Sequence, residues 1–213
     1  IGKIKKFNFK SLLILNTFAL IVTSYIFKNF LLLGVFILFF FISLFTTKNG
    51  LQIIKKLNLL QKIRSEGPSN HYKKSDTPTM GGIFMIVPFL IFLTLITINL
   101  GSLKLFLILM NIFGFFIIGF LDDYISIKNK ENTGLKSKQK FILQSIVSII
   151  FILLAYEKNL INPLITVSDS WGINMNIFIL PISFLVLVGI SNSVNLTDGL
   201  DGLAAGCSGI VFY

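Results

Sequence analysis

Residues 103–121 read LKLFLILMNIFGFFIIGFL and are followed directly by Asp122 and Asp123. The run holds a single charged residue, Lys104, near its start. A helix needs about 20 apolar residues to cross the hydrocarbon core of a bilayer, so this run predicts a membrane-spanning helix. Two carboxylates at the end of such a helix are costly if they reach into lipid, which makes them a candidate functional site.

The same pattern recurs along the whole chain. Its 213 residues are 54% apolar, with 23 phenylalanines and a mean hydropathy of +0.84. We predict an all-α, polytopic integral membrane protein with about six complete transmembrane helices and a truncated seventh, forming one domain over residues 1–213. The predicted spans lie near 11–27, 30–45, 80–98, 103–121, 141–156 and 177–194, with a partial span at 203–213.

The orientation follows from the basic residues. The first two spans are separated only by Lys28 and Asn29, and they form either a tight hairpin or one broken helix; we favour the hairpin. If the chain then alternates sides, one side carries 16 of the 19 lysines and arginines. Positive loops stay in the cytoplasm, so this side, including the N-terminus, is predicted to be cytoplasmic. Its segments are 1–10, 46–79, 122–140 and 195–202.

Three further features refine this picture. The net charge of +10 would suggest a nucleic-acid partner on a soluble protein, but here it belongs to the inner loops, so none is expected. Residues 50–64 carry apolar side chains at helical spacing, which predicts a helix that extends the second span or lies on the membrane surface. Trp171 falls in the external loop 157–176 and suits the membrane interface.

The first polar cluster on the cytoplasmic side is residues 67–82, GPSNHYKKSDTPTMGG. Lysines such as Lys74 can hold phosphate as point charges, and the glycine pair lets the backbone approach a ligand closely. The alternative is an ordinary positive loop with turn residues.

The acidic pair Asp122–Asp123 is the second cluster. Mg²⁺ takes hard oxygen ligands and commonly bridges a carboxylate to substrate phosphates. Adjacent residues on a helix point about 100° apart, so the two need not serve one ion. One could bind metal while the other acts as a base or orients a lysine. The alternative is a charge pair that only marks the interface.

The third and fourth clusters are residues 192–202, NSVNLTDGLDG, and residues 134–144, GLKSKQKFILQ. In the third, Asp198 and Asp201 are three apart and would share a face on a helical turn, with Asn195 nearby. In the fourth, Lys140 and two other lysines precede a span. Together the clusters predict a site at the membrane surface that combines acids for Mg²⁺ with lysines for phosphate, suited to a substrate with a lipid end.

These motifs, in this order, resemble phospho-N-acetylmuramoyl-pentapeptide transferases, within the wider group of polyprenyl-phosphate phospho-sugar transferases. The resemblance covers roughly residues 46–206, and the first span looks like an N-terminal extra. It implies an Mg²⁺-dependent enzyme of the bacterial cytoplasmic (inner) membrane, with its active site facing the cytoplasm. The reaction implied is transfer of phospho-MurNAc-pentapeptide from UDP-MurNAc-pentapeptide to undecaprenyl phosphate, giving lipid I and UMP. A homodimer is compatible with it.

The resemblance also implies roles for single residues. Asp122, Asp123 and Lys74 match catalytic positions, and the two aspartates are also candidates for the metal. The substrate-binding positions are matched by Thr79, Lys140, Asn195, Asp198 and Asp201.

The chain departs from the family in three places. Asp76 stands where a glycine usually precedes TPTMGG, and Ser126 stands where many relatives have a lysine. The sequence stops at Tyr213, before the later motifs of the family, so we expect this chain alone to be an inactive part of a larger enzyme. The competing hypotheses are a non-catalytic membrane remnant and a transporter; intramembrane acids of a transporter should lie mid-span, which counts against the latter.

Overall fold

The computed structural model describes residues 30–57, 79–129, 134–168, 171–198, 203–204 and 207–208. This part of the chain is almost entirely helical. The helices are α1 (Phe30–Lys56), α2 (Gly82–Leu100), α3 (Leu103–Asn129), α4 (Ser137–Glu157) and α5 (Ile179–Thr197). Between α4 and α5 lie two strands and a short 3-10 helix, namely β1 (Leu164–Ser168), β2 (Trp171–Asn174) and Asn176–Phe178.

Five helical segments in the described part of the chain are long and apolar enough to cross a membrane. They are Ile37–Lys56, Gly82–Leu100, Leu103–Asn129, Ser137–Glu157 and Asn176–Thr197. The all-α, polytopic fold is thereby confirmed. The predicted span near 11–27 lies outside the described residues, as does most of the one at 203–213, so the total number of spans and the first hairpin stay predictions.

Two helices run further than their apolar stretches. The α1 helix continues to Lys56 instead of ending near residue 45, so the segment from residue 50 to Lys56 extends the second predicted span. The α3 helix continues past the acidic pair to Asn129. Hydropathy locates the part of a helix that crosses lipid, whereas the backbone hydrogen bonds can continue into the aqueous layer.

Residues 42–188 form one compact unit, and residues 30–41 with the described residues after 188 belong to a second. In the first unit, α3 packs against both α2 and α4. Gly114 of α3 faces Val147 of α4 so closely that a Cβ at Gly114 would come within 2.7 Å of the Val147 Cγ1. Lipid provides no hydrophobic driving force between helices, so their association depends on close packing. Small residues such as this glycine allow that close contact.

The contact between α1 and α2 is built around a proline. Pro88 lies inside α2 and has no N–H to donate to the carbonyl of Phe84, four residues earlier. The Thr46 hydroxyl of α1 lies 2.7 Å from that carbonyl and donates to it. Gly50, one turn further along α1, leaves room for the Phe84 ring. A neighbouring helix thus satisfies the backbone group that proline frees, as a membrane interior requires.

The segment between α4 and α5 contains an antiparallel hairpin that was not predicted from the sequence. Leu164 pairs with Asn174, Ile165 with Ile173 and Thr166 with Gly172. The register of the pairing shifts between Thr166 and Ser168, at the end of β1. The run of β-branched residues in β1 favours a strand, but it is too short to stand out among the long helices.

Candidate active site

The site is built where α3 and α4 approach each other at one end of their antiparallel pair. Asp122 is the twentieth residue of α3, about 30 Å along the helix from Leu103. Lys140 lies in the first turn of α4. Its Nζ is 2.7 Å from Asp122 Oδ2. The side chain of Lys140 is 16% exposed and that of Asp122 is 25% exposed.

The second oxygen of the Asp122 carboxylate is also engaged. The backbone N–H of Leu135 donates to Oδ1 at 2.8 Å. Gly134 makes this possible, because a Cβ there would collide with the Asp122 backbone carbonyl and approach Oδ1 to 2.6 Å. Asp122 therefore fixes both the start of α4 and the segment that leads into it.

The beginning of α4 concentrates positive charge. Its first turn has no acidic residue, and Lys136, Lys138 and Lys140 lie at or next to it. The N-terminus of a helix already carries a partial positive charge, so lysines there oppose the helix dipole. The side-chain oxygen Oε1 of Gln139 accepts a hydrogen bond from the backbone N–H of Lys136 at 3.0 Å. Lys136 and Lys138 are exposed, and the arrangement suits an anion such as phosphate.

Asp123 has a different setting from its neighbour. It is half-buried and has an interaction of its own, and it points about 100° away from Asp122 around α3. The following residue, Tyr124, stacks on Phe120 with ring centres 6.2 Å apart. Because α3 continues for two turns beyond Asp122, both carboxylates are held by a helix body and not by a fraying end.

Of the residues predicted for the site, the structure brings Asp122 and Lys140 into contact. Thr79 is half-buried and comes just before α2, next to Met80, whose φ of 65° is uncommon for a residue with a side chain. Asn195 and Asp198 are exposed at the end of α5, in the second compact unit. Lys74 and Asp201 lie outside the described residues.

Nothing in the residue types predicted that the Leu135 N–H donates to the Asp122 carboxylate. A backbone donor leaves no signal in its own side chain, although the glycine before it was a hint of close approach. Within the described ranges, no three His, Cys, Asp or Glu side chains cluster tightly enough to hold a metal ion.

Comparison with known proteins adds to this geometry. The model of glycosyl transferase family 4 matches residues 105–213, half of the chain, including Asp122, Asp123 and Lys140. The chain belongs to glycosyl transferase family 4. Within this family, residues 74–86 match signature 1 of phospho-N-acetylmuramoyl-pentapeptide-transferase, a segment that contains Lys74 and Thr79.

Relatives in the family carry that same name. A phospho-N-acetylmuramoyl-pentapeptide-transferase of Prochlorococcus marinus strain MIT 9215 is 81% identical over all 213 residues, which cover 60% of its own length. That of strain MIT 9301 is 82% identical with the same coverage. The Halalkalibacterium halodurans relative is 40% identical over 85% of this chain and 56% of its own length. The chain thus spans about three fifths of these relatives, and the resemblance predicted from the motifs is confirmed.

Proposed function

We propose that the full-length protein transfers phospho-MurNAc-pentapeptide from UDP-MurNAc-pentapeptide to undecaprenyl phosphate. A phosphate oxygen of the lipid forms a bond to the sugar-linked phosphorus of the diphosphate. The bond from that phosphorus to UMP breaks, UMP leaves, and lipid I stays in the membrane. The contact between Asp122 and Lys140 carries this proposal, because it joins the acidic motif to the lysine motif in a chain that also bears the signature of this transferase.

Residues of this chain would offset the electrostatic repulsion between the two substrates. Both substrates are anions, and their mutual repulsion opposes reaction. The helix end with Lys136, Lys138 and Lys140 supplies positive charge for the phosphate oxygens, and Lys140 is the most buried of the three. Asp122 holds Lys140 in place, so that this charge needs no reorganisation during the reaction.

Mg²⁺ is the proposed cofactor, and oxygen ligands on α3 fit it. When bound, the ion would neutralise charge on the diphosphate and on the leaving UMP. Asp122 and Asp123 are both candidates to hold the ion, and in Asp122 both oxygens already accept hydrogen bonds, one of them from a lysine ammonium. Asp122 also positions Lys140 and the start of α4.

The proposed setting is the cytoplasmic face of the bacterial inner membrane. The soluble substrate UDP-MurNAc-pentapeptide is reached from the cytoplasm, whereas undecaprenyl phosphate lies in the bilayer. The site at the end of a 30 Å stretch of helix suits a reaction between the two. The excess of basic residues in the loops on that side supports the orientation.

The test is a transfer assay with the purified full-length protein in detergent, the two substrates and either Mg²⁺ or a chelator. We expect lipid product only with Mg²⁺, and a loss of about 10²-fold or more for Asp123→Asn. The matched control is Glu157→Gln, which also changes a carboxylate to an amide but lies at the last residue of α4, at the end of that helix away from the site. A folded full-length protein without Mg²⁺-dependent product would contradict the proposal and favour a remnant or a transporter.

A further inference from the structure

The hairpin of β1 and β2 has two chemically different faces. Ile165 and Ile173 are directly opposite each other, and Trp171 lies two residues before Ile173 on the same face. All three are exposed, by 38%, 41% and 58%. The opposite face carries the Leu164–Asn174 and Thr166–Gly172 pairs. Ile165, Trp171 and Ile173 form the Trp171 face.

The position of the hairpin relative to the site follows from α4. This helix has 21 residues and therefore rises about 31 Å, which matches the hydrocarbon core. Lys140 lies at its beginning and the hairpin follows its end, so the two occupy opposite membrane surfaces. Ile177 and Phe178 follow shortly after the hairpin, are 64% and 69% exposed, and lie near the start of the next membrane-length segment, Asn176–Thr197.

The hairpin is nearly free of charge. Between residues 159 and 178 the sequence has one charged residue, Asp169. Two asparagine side chains form hydrogen bonds with the backbone at the ends of the hairpin. Asn162 Oδ1 accepts from the Leu164 N–H at 2.9 Å, and Asn174 Oδ1 accepts from the Asn176 N–H at 3.0 Å. A segment with so little charge avoids most of the cost of bringing charged groups to a lipid surface.

We propose that the Trp171 face lies in the interfacial layer of the bilayer and anchors the hairpin there. Tryptophan favours this layer because its ring is apolar and its N–H still reaches water or headgroups. The two isoleucines extend the apolar contact, and the helices that precede and follow the hairpin also expose large apolar side chains. The anchor fixes the depth of α4 and, through this rigid helix, the depth of Lys140. This anchoring of the hairpin does not depend on the proposed transfer reaction.

Tryptophan fluorescence tests the anchor directly, because Trp171 is the only tryptophan in these 213 residues. The full-length protein is reconstituted in phosphatidylcholine vesicles, with a Trp171→Phe variant supplying the background from any tryptophan elsewhere. We expect blue-shifted emission from Trp171. We also expect strong quenching by lipids brominated near the headgroup, weaker quenching by lipids brominated near the chain end, and little quenching by aqueous iodide.

Two matched variants test which face of the hairpin contacts the bilayer. Ile173→Lys places a charge on the Trp171 face, so emission should shift to the red and quenching by brominated lipid should fall. Thr166→Lys places the same charge on the opposite face and should leave both unchanged. Strong iodide quenching in the unmodified protein would overturn the proposal, and so would protection from both quenchers, because protein would then cover this face. An equal effect of both lysine variants would overturn the assignment of the face.

Discussion

Lys140 donates a hydrogen bond of 2.7 Å to Asp122, a residue 18 positions earlier in the chain and on a different helix. The contact brings two motifs that are separate in the sequence into one site at the end of the α3–α4 pair. Each charge is largely withdrawn from water, so either one left alone would be costly. The pair therefore links the stability of this helix end to the placement of its positive charge.

Gly134→Ala should disturb this site without changing any charge. The added methyl group would collide with the Asp122 carbonyl, so the Leu135 N–H can no longer reach Oδ1. A displacement of about 1 Å can cost about 10²-fold in rate, and we expect a loss of that order in the transfer assay on the full-length protein.

The control for that variant is Gly119→Ala on α3. Among the residues that the structure describes, none comes within 4 Å of a Cβ placed at Gly119. Alanine there should keep full activity and could raise stability by up to about 1 kcal/mol. Equal activity of the two variants would show that the close approach of Gly134 to Asp122 is not needed.

Thr46→Val should destabilise the contact between α1 and α2 by about 1–3 kcal/mol, because the Phe84 carbonyl loses its donor. Thr94→Val is the control, since the Thr94 hydroxyl donates to the Leu90 carbonyl of its own helix at 2.7 Å. The measurement is the unfolding temperature of the full-length protein in detergent.

Pro88→Ala sharpens this prediction. Alanine restores the N–H that can donate to the Phe84 carbonyl, so Thr46→Val should cost less in this background than in the unmodified protein. If the cost of Thr46→Val is the same in both backgrounds, the proposed link between proline and threonine is wrong.

Ser148→Ala should leave stability unchanged or raise it. Within the described part of the chain, Ser148 is fully buried on α4 and its Oγ has no hydrogen-bond partner. Burying such a group costs about 1–3 kcal/mol, which alanine removes. Ser145→Ala is the matched change one turn earlier, where the hydroxyl bonds the Phe141 carbonyl at 2.7 Å. A lower unfolding temperature for Ser148→Ala than for Ser145→Ala would contradict this account.

Within the described residues, the sequence predicted the membrane-length helices because long apolar runs have few alternatives in a bilayer. It predicted less about what lies at their ends. The continuation of α3 to Asn129 and the hairpin around Trp171 depend on local backbone bonding, which hydropathy does not report. Likewise, the residue types suggested that Asp122 and Lys140 share a site, but the spacing alone did not predict that they touch, nor that the Leu135 N–H joins them.

The most direct test of the central claim compares two lysines that are both ion-paired and lie at opposite ends of α4. Lys140 pairs with Asp122 at the proposed site, and Lys158 pairs with Glu157 at 3.1 Å in an exposed position. In the transfer assay on the full-length protein, Lys140→Met should lose about 10²-fold or more activity, whereas Lys158→Met should remain close to the unmodified enzyme. Near-normal activity of a folded Lys140→Met protein would contradict the claim that this pair builds the phosphate-handling site.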